Sequence, residues 1–214
     1  DELIQHFLGI NIEVEDNTFN EKRLTLMHFT EEKDIIHFIY ILPFSHNKAL
    51  VESTVFSKEL YDDSWYRERI NKYLRLNNIT EFKEQSMEKG IIPMFFLDDQ
   101  KSQIPNIFNI GIRGGACKPS TGYAFSFLIK QIQLIKNSKK NNVKVHNYLE
   151  RKMDNIFINY LKNNNENGNS FINLASNLNG YEFQSFMMGE SSFFTKLKII
   201  KSMPKLPFIK EIFR

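Results

Sequence analysis

The chain has 214 residues, 42% hydrophobic and 25% charged, with a formal net charge of +3 and a pI near 8.8. That length suffices for one good-sized core or a domain with a helical appendage, and the composition excludes a collagen, a disulfide scaffold and wholesale disorder. So mild a basic excess is not the profile of a nucleic-acid binder, and the abundance of Asn, Lys and Ile reflects base bias in the coding sequence as much as chemistry.

The first hundred residues read as strands with one long helix. The N-terminus, Asp1-Glu2-Leu3, has no basic segment followed by a long apolar run and is not a signal peptide; with no initiator Met, the chain reads as a fragment or a processed form. Ile35 to Leu42 is β-branched and aromatic, which predicts a strand stopped by Pro43. Ala49 to Phe56 is a second strand, joined to the first by the polar hairpin Ser45–Lys48. Leu60 to Leu76 has apolar residues at helical spacing, including Leu60, Trp65, Ile70 and Leu74, with charges opposite. Gly90 to Leu97 returns to a strand, broken by Pro93. Strands following one another through short loops predict an antiparallel or mixed sheet.

From Ile104 the pattern changes. Asn106 to Ile110 is a short apolar strand, Gly111 to Thr121 a Gly-rich loop, and Gly122 to Lys136 a helix that Ser120 or Thr121 would cap. The remainder reads as helices separated by Asn- and Gly-rich breaks, the clearest at Asn163–Ser170. Charge is uneven: from 137 onward, 12 Lys and Arg stand against 6 Asp and Glu. The predicted fold class is α+β in three regions: an antiparallel or mixed sheet (1–104), a strand, loop and helix (105–136), and a basic helical tail (137–214).

Three constellations carry chemistry. On the strand Ala49–Phe56, alternation places Leu50, Glu52, Thr54 and Phe56 on one face, so Glu52 sits among apolar neighbours. A carboxylate so placed is either paired or solvated, or it stays protonated and can donate a proton; spacing alone does not choose. The second is the loop, where Gly111, Gly114 and Gly115 allow close backbone approach. Pro119 precedes a helix start whose N–H groups near Thr121 and Gly122 could hold an anion, with Arg113 and Lys118 adding positive charge. It is neither a Walker A loop nor a GxGxxG fingerprint, and a plain connection would look the same. The third is Phe193–Arg214, with six Lys and Arg, one acid and interleaved Phe, Leu and Ile. This suits an anionic membrane surface or an ordinary amphipathic end packed on a core. No run of 18 apolar residues occurs. The five His lack HxxxH or HExxH spacing, so no metal is expected. Cys117, the one cysteine, excludes an internal disulfide and reads as a packing residue.

Taken in order, Gln5–Gly9 (QHFLG), Leu24–Phe29 (LTLMHF), Ile39–Ser45 (IYILPFS), Ala49–Ser57 (ALVESTVFS), Gly90–Met94 (GIIPM) and Gly114–Phe125 (GGACKPSTGYAF) resemble the lycopene β-cyclase family of flavoproteins. The match is close from Gln5 to about Lys136; in the tail, Pro207–Phe213 (PFIKEIF) resembles the family's ending. The resemblance implies a fold of the hydroxybenzoate-hydroxylase type, in which a Rossmann-like FAD domain joins an antiparallel substrate sheet. The loop and its helix would be the return into the FAD domain, with Gly111, Arg113, Gly114, Gly115, Pro119, Ser120, Thr121 and Gly122 at the flavin. Glu52 falls on the family's catalytic acid, whereas Ser53 stands where a second acid is usual. The implied reaction is cyclisation of lycopene ends to β-ionone rings with reduced FAD, NAD(P)H serving only as reductant, on a carotenoid held at a membrane surface by a peripheral cytoplasmic enzyme. The family's GxGxxG unit is absent from these residues, so this chain alone is expected to bind FAD poorly and catalyse nothing. The alternatives are an FAD-dependent hydroxylase or prenyl reductase of the same superfamily, which needs no Glu52, or a non-enzymatic polyene-binding module.

Overall fold

The computed structural model describes residues 2–32, 35–97, 107, 109–138, 143–164 and 168–212. The chain forms two compact units, one built on Leu3–Ile92 with 166–168, the other on Pro93–Asn165 and Asn169–Arg214. The fold is α+β.

The first unit is a five-stranded sheet with one helix. Strands β1 (Ile4–Glu13), β2 (Thr25–Phe29), β3 (Ile36–Pro43), β4 (Lys48–Ser57) and β5 (Lys83–Pro93) lie in the order β2-β3-β4-β1-β5. β4 is therefore the central strand, antiparallel to β3 on one side and β1 on the other. Helix α1 (Asp63–Leu76) covers one face. Its residues Tyr66, Ile70 and Leu74, spaced four apart on one stripe, pack with Leu8, Ile10, Ile12, Ile39, Val51 and Val55. Directly opposed residues of neighbouring strands share a face, and Gly9 and Tyr40 oppose Glu52. The face carrying Glu52 is thus the one turned away from α1.

Two boundaries differ from expectation. The helix begins at Asp63, not Leu60, whose side chain is exposed. The last strand begins at Lys83, seven residues before the predicted Gly90. β5 is an edge strand, and Lys83–Lys89 are exposed, so no alternation of apolar residues marked it.

The second unit is helical. A 3₁₀ turn at Gly111–Gly114 leads to α2 (Phe125–Ser138), followed by α3 (Tyr148–Asn163), α4 (Asn169–Asn177), α5 (Gly180–Met187), α6 (Phe193–Ser202) and α7 (Lys205–Ile212). Part of the abundant Asn is used at helix starts. The Asn147 side chain accepts from the Glu150 N–H at 2.9 Å, and Asn179 forms a reciprocal capping box with Glu182. Tyr160 of α3 packs against Phe208 of α7, ring centroids 4.4 Å apart. Of the strand expected at Asn106–Ile110, Asn106 and Phe108 lie outside the described residues, and Ile107, Asn109 and Ile110 belong to no strand.

Candidate functional site

Glu52 lies mid-way along the central strand. On its face, Leu50, Thr54 and Phe56 of β4 and Phe38 of β3 are buried, and Phe38 and Phe56 meet edge to face at 5.6 Å. Tyr40 stands directly opposite on β3, and Phe7 and Asn11 flank Gly9 on β1. The carboxylate accepts a hydrogen bond from Thr54 Oγ1 at 2.5 Å. Burial pushes the Glu52 carboxyl up to about 7; the Thr54 bond opposes this, and the negative charge of Glu88 adds to it. Burial also raises the Tyr40 phenol, with Glu52 and Glu88 acting in the same direction, so it stays protonated at neutral pH. The result is an aromatic, largely apolar strip on which the Glu52 carboxyl is about half protonated at neutral pH. Such a group can transfer a proton to an apolar substrate.

The next residue, Ser53, points to the opposite face and is fully buried. Its hydroxyl bonds His37 Nε2 at 2.8 Å, and His37 Nδ1 bonds Thr30 Oγ1 at 2.6 Å. Burial, with Arg69 and Lys72 adding to it, lowers His37 to about 3, so a neutral ring is held between two hydroxyls. A parallel arrangement joins His6 to Ser57 at 2.8 Å and to Tyr66. The His6 chain ties β1 and β4 to α1, and the His37 chain joins β3 to β4 and to the end of β2.

The Gly-rich loop differs from its predicted form. Gly122 takes a left-handed conformation (φ 72°), which interrupts helical backbone, and α2 starts only at Phe125. Lys118 and Tyr123 pair across the turn, and the Thr121 and Gly122 N–H groups both donate to the Lys118 carbonyl, at 3.1 and 2.8 Å. The expected anion-binding donors at these two residues are therefore spent inside the loop, and neither Ser120 nor Thr121 caps α2. Pro119 and Ser120 are buried. Ser120 Oγ donates to Asp154 Oδ1 at 2.7 Å.

Lys118 does not face outward. It is 1% exposed, pairs with Asp154 Oδ1 at 2.6 Å, lies 3.9 Å from Glu150, and sits over the Phe186 ring. Lys196 of α6 forms an ion pair with the other Glu150 oxygen at 2.8 Å. Glu150 and Asp154, four apart on α3, thus clamp the loop through the buried Lys118, and Glu150 also ties in the half-buried Lys196 of α6. Gln131 of α2 accepts from the Gly111 N–H at 2.9 Å and donates to the Gly114 carbonyl at 2.6 Å. His146 bonds the Gly115 carbonyl at 3.1 Å and stacks near Phe127. Burial holds its ring down at about 4, and therefore neutral. Cys117 is buried, and its thiol is pushed up to about 12 by burial, with Asp154 adding to it; it is no nucleophile. What remains at the surface is Arg113, exposed, and the half-buried backbone of Gly111, Gly114, Gly115, Thr121 and Gly122.

A family model described as Lycopene cyclase protein matches residues 1–212. The chain belongs to the lycopene cyclase family. It is 31% identical, over 134 residues, to a lycopene β-cyclase from Paracoccus sp., a match covering 58% of this chain and 33% of that protein. The chain thus spans about a third of the length of the curated relative it matches. Its fold is similar to that of a geranylgeranyl bacteriochlorophyll reductase-like protein from Thermoplasma acidophilum. There the TM-score is 0.54 at 12% identity, covering 99% of this chain and 54% of that one.

Within this chain, the structure brings Glu52 together with Thr54, Tyr40 and Glu88, and separates Ser53 from them on the other face. Gln131, His146, Glu150, Asp154 and Lys196, which hold the loop, were not singled out from sequence. The i, i+4 acids on α3 were visible, but nothing in the sequence paired them with Lys118. Among the described residues no cluster of His, Cys, Asp or Glu is arranged to hold a metal.

Proposed function

We propose that the protein to which this chain belongs cyclises the ends of lycopene, or of a similar acyclic carotenoid, to β-ionone rings. The observation that carries this is Glu52: a carboxyl raised to about 7, so that a large fraction keeps its proton near neutral pH, on an aromatic strip in a chain of the lycopene cyclase family. Glu52 delivers its proton to the terminal double bond of the polyene. The next double bond attacks the resulting tertiary cation and closes a six-membered ring. Loss of a ring proton completes an isomerisation with no net redox change. Thr54 holds one Glu52 oxygen at 2.5 Å and fixes the carboxyl, while the aromatic side chains exclude water that would quench a cation.

FAD fits the loop in part. Gly111 opens onto free space and can admit a flat ring, whereas a Cβ at Gly114 would meet Asn109 O at 2.3 Å and one at Gly115 would meet Leu97 O at 3.2 Å, and Arg113 is the cation available to a negative charge. The Thr121 and Gly122 N–H groups are committed to Lys118, so anion binding falls to Arg113 rather than to the predicted helix start. Reduced FAD, when bound, supplies negative charge that stabilises a nearby carbocation, and NAD(P)H supplies the reducing equivalents.

Peripheral membrane binding, on the cytoplasmic side, suits so apolar a substrate. On α6, Phe193, Phe194, Leu197 and Ile200 are exposed on one stripe flanked by lysines. No helix among the described residues is long and apolar enough to cross a membrane.

The test is expression of the full reading frame in cells that accumulate lycopene, with pigments resolved by chromatography. Conversion to β- or γ-carotene that Glu52→Gln abolishes is the expected result. Unchanged lycopene with well-expressed, flavin-loaded protein overturns the proposal in favour of a redox enzyme of the same superfamily.

A further inference from the structure

Glu52 is not the one carboxylate on its face. Its partner across the β4–β1 ladder is Gly9, which has no side chain. A Cβ built on Gly9 would lie 3.5 Å from Glu52 Cβ and 3.4 Å from Glu88 Cγ. The two glutamates therefore converge over the gap that the glycine leaves, with these atoms less than about 7 Å apart. Strand alternation supports this placement: the neighbouring Lys89 reaches the other way, to Asp63 of α1 at 3.1 Å.

We propose that Glu88 is a positioning residue for the acid: its carboxylate, set beside Glu52 across Gly9, disfavours a second negative charge on this strip and so keeps the proton on Glu52. This rests on the reading of Glu52 as proton donor. The groups facing Glu52 are few. Its own strand supplies the Thr54 hydroxyl, β3 the Tyr40 phenol, β1 only Gly9 flanked by Phe7 and Asn11, and β5 the Glu88 carboxylate. Glu88 is thus the acidic side chain that β5 adds to this set, and it is exposed. Before turnover it favours the protonated form of Glu52. After the proton has left, the two like charges favour its return. Gly9 lets the charges act on each other without an intervening side chain.

The test uses the full-length, flavin-loaded enzyme acting on lycopene in liposomes between about pH 5.5 and about pH 8.5. Charge separation of this size, screened by solvent on the Glu88 side, predicts that Glu88→Gln moves the alkaline limb of kcat/KM down by roughly half a unit. That is a loss of about two- to threefold near pH 7.5 and less than about 1.3-fold near pH 6. Glu88→Asp, which keeps the charge, should retain most of the wild-type profile. A uniform loss at every pH, or an unchanged limb, overturns the proposal while leaving cyclisation by Glu52 intact. If the wild-type enzyme forms no ring, the reading of Glu52 fails instead. The proposal is then still decided by the carboxyl titration of Glu52, observed by NMR in ¹³C-glutamate-labelled protein and assigned with Glu52→Gln. A midpoint lowered by Glu88→Gln supports it, and an unmoved midpoint refutes it.

Discussion

Replacing Lys118 by Met should be among the most damaging single changes in the helical unit. Lys118 is 1% exposed and pairs at 2.6 Å with Asp154, which also accepts from Ser120 at 2.7 Å, and it lies 3.9 Å from Glu150. Removing the cation leaves the buried Asp154 carboxylate with the Ser120 hydroxyl in place of a charged partner, and Glu150 with Lys196. Breaking a buried pair in this way costs about 3–5 kcal/mol, because the remaining charge has lost both water and partner. Asp154→Leu strands Lys118 and the Ser120 hydroxyl and should cost a similar amount. The double variant Lys118→Met with Asp154→Leu removes both charges and substitutes apolar side chains of similar size. It should recover most of the loss, giving a coupling energy of roughly 3 kcal/mol. Urea unfolding at neutral pH reads this directly. Far-UV circular dichroism follows the six helices α2–α7 of this unit and α1 of the other, while Trp65, the sole tryptophan, reports on the sheet unit. The circular-dichroism midpoint should fall in each single variant and return in the double. Single variants costing less than about 1 kcal/mol, or a double variant as unstable as the two losses added, would refute the view that this pair clamps the loop.

Glu52→Gln should abolish ring formation and also flatten part of the pH dependence of stability in the sheet unit. The folded carboxyl, at about 7, lies above its ordinary value of 4.5. Its contribution is full below the unfolded value and is lost as pH rises through 7, by up to about 3 kcal/mol, a loss the variant should not show when Trp65 fluorescence is followed in urea. His37 acts with the opposite sign. Held at about 3, below 6.5, it contributes stability above pH 6.5 that is lost as pH falls toward 3, so His37→Gln should weaken the acid sensitivity of the same unit while lowering its stability near pH 7. Gly9→Ala places a methyl 2.8 Å from Leu50 Cδ1 and should cost about 1–3 kcal/mol by denaturant unfolding. Charge reversal at Lys201, Lys205 and Lys210 should weaken co-sedimentation of the full-length protein with anionic vesicles several-fold at low salt; binding that is unchanged by reversal or by salt would count against a peripheral basic contact.

Much of the sheet was legible because local chemistry and periodicity agree there. β3 and β4 are β-branched and aromatic, and the polar Ser45–Lys48 turn joins them. The two-residue period of β4 already placed Glu52 among Leu50, Thr54 and Phe56, apart from Ser53. Several motifs in fixed order, from QHFLG to GGACKPSTGY, were enough to indicate the lycopene cyclase family. What the linear order could not express is contact between residues far apart in the chain. Whether Glu52 is solvated or holds a proton depends on burial, and on Tyr40 and Glu88 arriving from β3 and β5. The seven residues before Gly90 became a strand through ladder pairing at the sheet edge, with no apolar pattern to announce it. Lys118 read as a surface cation at an anion site, because its charge is obvious in sequence and its partners, 32 and 36 residues away on α3, are not. Local residue chemistry thus determined that β3, β4 and α1 form and which face Glu52 takes. Tertiary structure decided which charges are buried, which are paired, and which carboxyl keeps its proton, because desolvation and Coulomb interaction are set by neighbours in space.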